Sequence, residues 1–316
     1  MDFSDLTNRQ ILGFSDTFGI DAGNGVARFL YDMHRLNRDR GLHLKLVVPA
    51  HVASAEDLVP IRAPAFSVPG YSQLNLSMPL RHHRKVIERH IKHERPDCVH
   101  ISTPGPFGCF GLTLAKRYHL PIVGIYHTDF SGYANAIVRS QLTSLRDNPG
   151  RLISSVNAKL LPKLFCFLSK LSEMNPQFLS DAASLGDIAN RNFKAFADDP
   201  KTDASLSSLA GDLTTSILRR FYRPFDLLIA RSSAQRGMRV ESRGFDDETV
   251  RVLRPGTDIE RFHPRFRDRT VWGSFGIPED AFVVLYVGRV TAEKNIDFLR
   301  RVWTAIESRS STRDLH

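Results

Sequence analysis

Apolar and polar positions along this chain repeat one three-part pattern: a short apolar run, a loop rich in small residues, and a stretch with apolar side chains at helical spacing. Gln10 to Phe14 is the first apolar run, and the loop from Ser15 to Gly25 follows it. Val26, Phe29, Leu30, Met33 and Leu36 then recur every three or four residues, which predicts a helix with one buried face. Leu44 to Val48, closed by Pro49, is the second predicted strand. The stretch from Val59 to Met78, interrupted by Pro60, Pro64 and Pro69, reads as an extended excursion. Arg81 to Arg95 predicts a very basic helix. Cys98 to Ile101 is the next strand, with an apolar helix after Gly108 running to about Tyr118. Pro121 to Tyr126 is a further strand, ending in His127-Thr128-Asp129-Phe130. Strands that are apolar throughout, rather than alternating, belong in a parallel sheet covered on both faces.

The pattern breaks from Ile137 to about Leu218. Leu160–Leu171, Phe178–Leu185 and Phe193–Phe196 suggest a helical insertion over 137–218, followed by a soft stretch from Asp198 to Asp203. Strands resume at Leu227–Ala230 and Val250–Leu253, and Asp268 to Phe275 fits a short helix. A last unit joins the strand Val283–Val287, a loop from Gly288 to Asn295, and a helix carrying Ile296, Leu299, Val302, Trp303 and Ile306. This order divides the chain into a first domain over 1–256 and an incomplete second over 257–316. In open α/β sheets ligands bind beyond the carboxyl ends of the strands. Arg289 and Lys294 set two cations there, beside a helix start, an arrangement that suits a di- or triphosphate as well as it suits two solvated surface charges.

Several of these loops carry a resemblance. The run G-R-x-x-x-E-K-N from Gly288, after V-x-L-Y-V, resembles the donor-phosphate loop of glycosyltransferase family 4, retaining enzymes of GT-B architecture. S-D-T-F from Ser15 and N-G-V-A-x-F from Asn24 resemble the opening of that family. The most specific match in the first half is P-D-x-V-H-I-S-T-P-G-P-x-G from Pro96, then L-P-I-V-G-x-Y-H-T-D-F from Leu120. It is similar to the subgroup with phosphatidylinositol mannosyltransferases and sulfoquinovosyl-diacylglycerol synthases. Pro255 to Asp258, with Arg261-Phe262, resembles the crossover between that family's two domains.

The resemblance implies an α/β fold of GT-B type: a Rossmann-like parallel-sheet first domain on the acceptor side, carrying the helical insertion, and the start of a second Rossmann-like domain that binds nucleotide sugar. It implies transfer of a hexose, of mannose or glucose type, from a GDP- or UDP-sugar to a lipid or glycan acceptor with retention of configuration. By that analogy Arg289 and Lys294 hold the pyrophosphate and stabilise the leaving nucleotide. Asn24, Gly25 and Gly288 line the donor phosphates, His127 sits against the donor sugar, and Asp16 and Asp129 shape the acceptor cleft. No metal is expected, since the two cations do that work and no D-x-D motif is placed to bind one. The family's later pair of glutamates eight positions apart has no counterpart here. The expectation is therefore a C-terminally truncated member, and the alternative is a non-catalytic acceptor- or membrane-binding module derived from such an enzyme.

Composition narrows the partners. Net charge is +9 with a pI near 9.7, which suits polyanionic substrates, anionic membrane surfaces or nucleic acid. No nucleic-acid-binding motif accompanies it, so nucleic acid is set aside. Arg81–Arg95 fits either a solvated helix face or docking on anionic lipid headgroups. Three cysteines, Cys98, Cys109 and Cys166, show no metal or pairing pattern, and the polar start lacks an apolar leader. A cytoplasmic protein, peripheral on the inner membrane face, is the expectation. A dinucleotide oxidoreductase shares the architecture, but Arg28 stands where G-x-G-x-x-G needs its third glycine.

Overall fold

The computed structural model describes residues 9–18, 25–39, 41, 43–50, 58–63, 65–68, 71–127, 215, 218–237, 245, 248–254, 256–268, 270–288, 290 and 294–309. Two compact units separate at Arg254–Pro255.

The first unit is built on seven parallel strands: β1 (Gln10–Phe14), β2 (His43–Pro49), β3 (Leu58–Ile61), β6 (Cys98–Ile101), β7 (Ile122–Tyr126), β8 (Leu227–Ala230) and β9 (Val250–Val252). Between β3 and β6 lies a separate antiparallel pair, β4 (Ala65–Val68) with β5 (Tyr71–Ser77). Across the large sheet the order is β3-β2-β1-β6-β7-β8-β9. The chain thus winds outward from β1 to β3, returns to the other side of β1 with β6, and winds outward again. That reversal is the arrangement of a doubly wound α/β fold. Among the elements expected from sequence, β3 is the addition: the proline-bearing excursion supplies an edge strand. Pro60 can sit there because an edge residue need not donate to a further neighbour.

Helices cover both faces, which is why the strands read as nearly unbroken apolar runs. Helix α1 (Gly25–Asp39) covers one face, where Leu30 packs with Phe18, Leu44, Leu46, Val48 and Leu58. Helices α2 (Arg81–Glu94) and α3 (Pro106–Arg117) cover the other. There Ile87, Ile91, Phe107, Phe110 and Leu114 meet Leu12, Phe14, Val47, Val99 and Ile101. Alternation along β2 divides its side chains between the two clusters, as period-two geometry requires. Beyond β7, Tyr126, Phe221, Tyr222 and Phe225 form a buried aromatic group with centroid separations of 4.9–5.7 Å.

At the amino edge two aspartates do the same job. Asp97, just before β6, accepts from the Gln10 N–H of β1 at 2.7 Å, and Asp226, just before β8, accepts from the Ile122 N–H of β7 at 2.7 Å. Each satisfies a leading strand donor that the staggered ladder would leave open. At the opposite edge α3 starts so close to the β6 loop that Gly108 is obligatory: a Cβ there would stand 1.8 Å from the Thr103 carbonyl oxygen.

The second unit differs from its sequence expectation in one element. Helix α4 (Ile296–Arg309) forms, and the segment around Asp268–Phe275 becomes a 3-10 helix over Thr270–Phe275. Residues 283–287 do not form the expected strand. They form no ladder, and Val284, Leu285 and Val287 are exposed. A parallel strand exists only through its neighbours, and no described strand pairs with this one. The expected helical insertion at 137–218 falls almost wholly outside the described residues.

Gly108→Ala should lower the free energy of unfolding by about 3 kcal/mol, because the colliding atom is backbone and cannot rotate away. Gly25→Ala, with nothing within 4 Å of the added methyl, should stay within about 0.5 kcal/mol of wild type. Urea unfolding of the two variants checks this, and equal midpoints would contradict the packing at Gly108.

Candidate functional site

The carboxyl ends of β1 and β6 are where the winding direction reverses, so they open the crevice in which this class of sheet binds ligands. Three short segments meet there: Ser15–Phe18 after β1, Ser102–Gly105 after β6, and His127 after β7. Arg231 follows β8 one strand further on.

Asp16 occupies the reversal itself. Its backbone N–H donates to Thr103 Oγ1 at 2.9 Å, the Thr103 hydroxyl donates back to Oδ2 at 2.5 Å, and the Phe107 N–H donates to Oδ1 at 2.9 Å. The carboxylate therefore caps the first turn of α3, whose own N-cap, Gly105, has no side chain to do so. Gly105 must be glycine, since a Cβ would lie 2.4 Å from Asp16 Oδ2. Burial pushes the Asp16 carboxyl up to about 6, against the lowering effect of its hydrogen bonds to Phe107, Thr103, Gly108 and Gly105. The same buried charge raises neighbouring Cys109, whose thiol goes to about 12 chiefly through burial. With 4% of its surface exposed and both oxygens committed inward, Asp16 is a structural clasp, and this geometry does not display a cleft-lining group.

His127 stands in a different setting on the α1 side. Its ring meets Phe29 of α1 edge-on at 5.0 Å between centroids, and the Arg231 guanidinium lies over the same Phe29 ring at 5.3 Å. Arg231 Nη1 donates to His127 Nδ1 at 3.3 Å. His127 Nε2 is shut off from solvent and meets no hydrogen-bond partner among the described residues. Burial first, then the Arg231 cation, then His100 push the imidazole down to about 3, so it is neutral. His100, one strand over on β6, is likewise held neutral by burial, at about 4, and its Nδ1 lies 3.3 Å from the Ser102 hydroxyl. The result is two neutral imidazoles and one guanidinium at neighbouring strand ends.

Of the residues expected from sequence, the structure groups His127 with Phe29, His100 and Arg231, none of which was singled out. Arg231 could have been found, because it directly follows the apolar strand L-L-I-A just as His127 follows I-V-G-I-Y. Gly25 opens α1 with free space around it. In the second unit Gly288 turns against Tyr286, a Cβ there standing 2.7 Å from the Tyr286 hydroxyl, and Lys294 is exposed just ahead of α4. Asn24, Asp129 and Arg289 lie outside the described residues. No cluster of metal-ligating side chains occurs among the described residues, and no described helix is long and apolar enough to cross a membrane.

Residues 23–162, which run from the start of α1 past β7 and His127, match Glycosyltransferase Family 4. Over those residues, which make up under half of the chain, it is similar to that family. It is similar to D-inositol 3-phosphate glycosyltransferase 1 of Catenulispora acidiphila, at 37% identity over 76 residues, covering 24% of this chain and 18% of that one. A longer and weaker similarity joins it to sulfoquinovosyl transferase SQD2 of Arabidopsis thaliana, at 24% identity over 262 residues, 81% of this chain and 37% of the relative. The chain thus spans well under half the length of these curated relatives. Among solved structures, a glycosyltransferase from Rickettsia africae superposes with a TM-score of 0.47 at 11% identity, covering 96% of this chain and 59% of that one, a likeness too loose to argue from.

Asp16 gives a prediction with a definite sign. Its folded pKa is raised, so its protonation adds stability that is fully present below about pH 4 and is lost as pH rises through about 6. Relative to Asp16→Asn, wild type should lose up to about 3 kcal/mol between those limits. Urea unfolding of both proteins across that range reads the difference, and a flat difference would contradict the buried, proton-sensitive clasp.

Proposed function

We propose that the chain takes part in retaining hexosyl transfer from a nucleotide sugar to a lipid or glycan acceptor. The observation that carries the reading is the family 4 match over 23–162, which leads into the carboxyl edge of a doubly wound sheet and ends beyond a half-buried, neutral histidine. In this reading His127 contacts the donor sugar, Asn24 and Gly25 approach the donor phosphates, and Gly288, Arg289 and Lys294 receive the diphosphate. Departure of a nucleoside diphosphate builds negative charge on the leaving oxygen. Two fixed cations lower the barrier by stabilising that charge as it develops.

The acceptor side belongs to the first unit. A relative named for D-inositol 3-phosphate supports a polar, anionic acceptor. Helix α2 suits approach to an anionic membrane, with Ile87 and Ile91 buried while Lys85, Arg89 and Lys92 are exposed. Asp129 remains a proposed cleft residue on the strength of its motif, and Asp16 supports the cleft by holding the β1 and β6 loops together.

Calorimetric titration of the full 316-residue chain with GDP and with UDP tests the donor assignment. One of the two should bind in the micromolar range. The Arg289→Ala/Lys294→Ala variant should lose about 100-fold in affinity, the equivalent of two charge-assisted hydrogen bonds. A cooperatively folded chain that binds neither nucleotide would overturn the donor reading.

A further inference from the structure

We propose that Arg231 is a positioning residue that locks His127 in the Nε2–H tautomer, so that His127 meets its ligand as a hydrogen-bond donor and not as a base. The argument starts from what a guanidinium can do. Arginine has only donors, so the nitrogen it reaches must supply a lone pair. Arg231 Nη1 approaches His127 Nδ1 at 3.3 Å. In the neutral ring the one proton is then on Nε2. Protonating Nδ1 as well would turn an N–H against the guanidinium N–H, so the contact disfavours the imidazolium and the other tautomer together.

Arg231 is itself held. Its backbone N–H donates to Gln235 Oε1 at 2.7 Å, and its guanidinium rests over Phe29, the same ring that meets the edge of His127. One aromatic side chain on α1 thus sets the position of both partners, which leave adjacent parallel strands. Among the described residues, His100 and Arg231 are the ionisable groups that bear on the imidazole, and both discourage its protonation.

The free end of the ring gives the arrangement its consequence. Nε2 is out of solvent and unpaired among the described residues, and a buried unpaired N–H costs on the order of 1–3 kcal/mol. A ligand oxygen with lone pairs recovers that cost. Sugar hydroxyls and phosphate oxygens both qualify. A ligand N–H does not. This last step rests on the donor-sugar reading above, whereas the tautomer itself does not.

Nitrogen-15 NMR of the ligand-free full chain, labelled at histidine, separates the two. The chain has 12 histidines, and the His127 resonances are identified by their absence in His127→Gln. Wild type should show a protonated Nε2 and an unprotonated Nδ1 across pH ~5 to ~8, with no titration in that range. Arg231→Lys retains a donor and should keep this pattern. Arg231→Met fills the volume without a donor, and should give mixed tautomers with titration moved towards the ordinary histidine range. A wild-type Nδ1–H tautomer, a wild-type imidazolium near neutral pH, or an Arg231→Met spectrum identical to wild type would each overturn the proposal. Because no nucleotide is present, failure of GDP or UDP to bind would leave this result standing, and its failure would not touch theirs.

Discussion

One buried carboxylate holds the reversal of this fold together. Strands β1 and β6 are neighbours in the sheet but far apart in sequence, and their outgoing loops must turn in opposite directions. Asp16 joins them by taking donors from Thr103 and from the first turn of α3. The approach is close enough that Gly105 and Gly108 can carry no side chain, so the P-G-P-x-G run is a packing requirement before it is a functional signature. Removing the charge from water is costly, which is why the group holds its proton more tightly than an exposed aspartate does.

That clasp also decides where an anion cannot go. A helix start at the carboxyl edge of such a sheet is ordinarily open to phosphate. At α3 it is already filled by Asp16, and a second negative charge would be repelled. What the edge offers instead is the start of α1 at Gly25, with free space around it, and the polar pair His127–Arg231 on the α1 side. Phe29, one turn into the helix that Gly25 opens, packs against both His127 and Arg231.

Much of the fold was legible in residue order alone. Apolar runs broken by small-residue loops predicted β1, β2, β6, β7, β8 and β9, and helical spacing predicted α1 and α4. Edge strand β3 was hidden because Pro60 argues against a strand until its neighbours are known. In the other direction, Val283–Val287 has every local mark of a buried strand yet forms no ladder, since strand formation depends on a neighbouring chain segment as well as on composition. For the site, His127 was singled out by the motif it ends, not by its place after a strand alone. Its partners were not, because Phe29, His100 and Arg231 are 98, 27 and 104 positions away from it and nothing local links them.

The sequence by itself determined the class of fold and the set of loops that face the ligand edge, because these follow from short-range periodicity and from motifs contiguous along the chain. Only the tertiary structure decided what each polar residue does. Asp16 and His127 both follow apolar strands and look alike as candidates. One is turned inward to cap a helix, and the other is held neutral beside an arginine with one nitrogen unsatisfied among the described residues. Charge state and hydrogen-bond direction depend on burial and on partners brought in from distant segments, and those are set only when the sheet assembles.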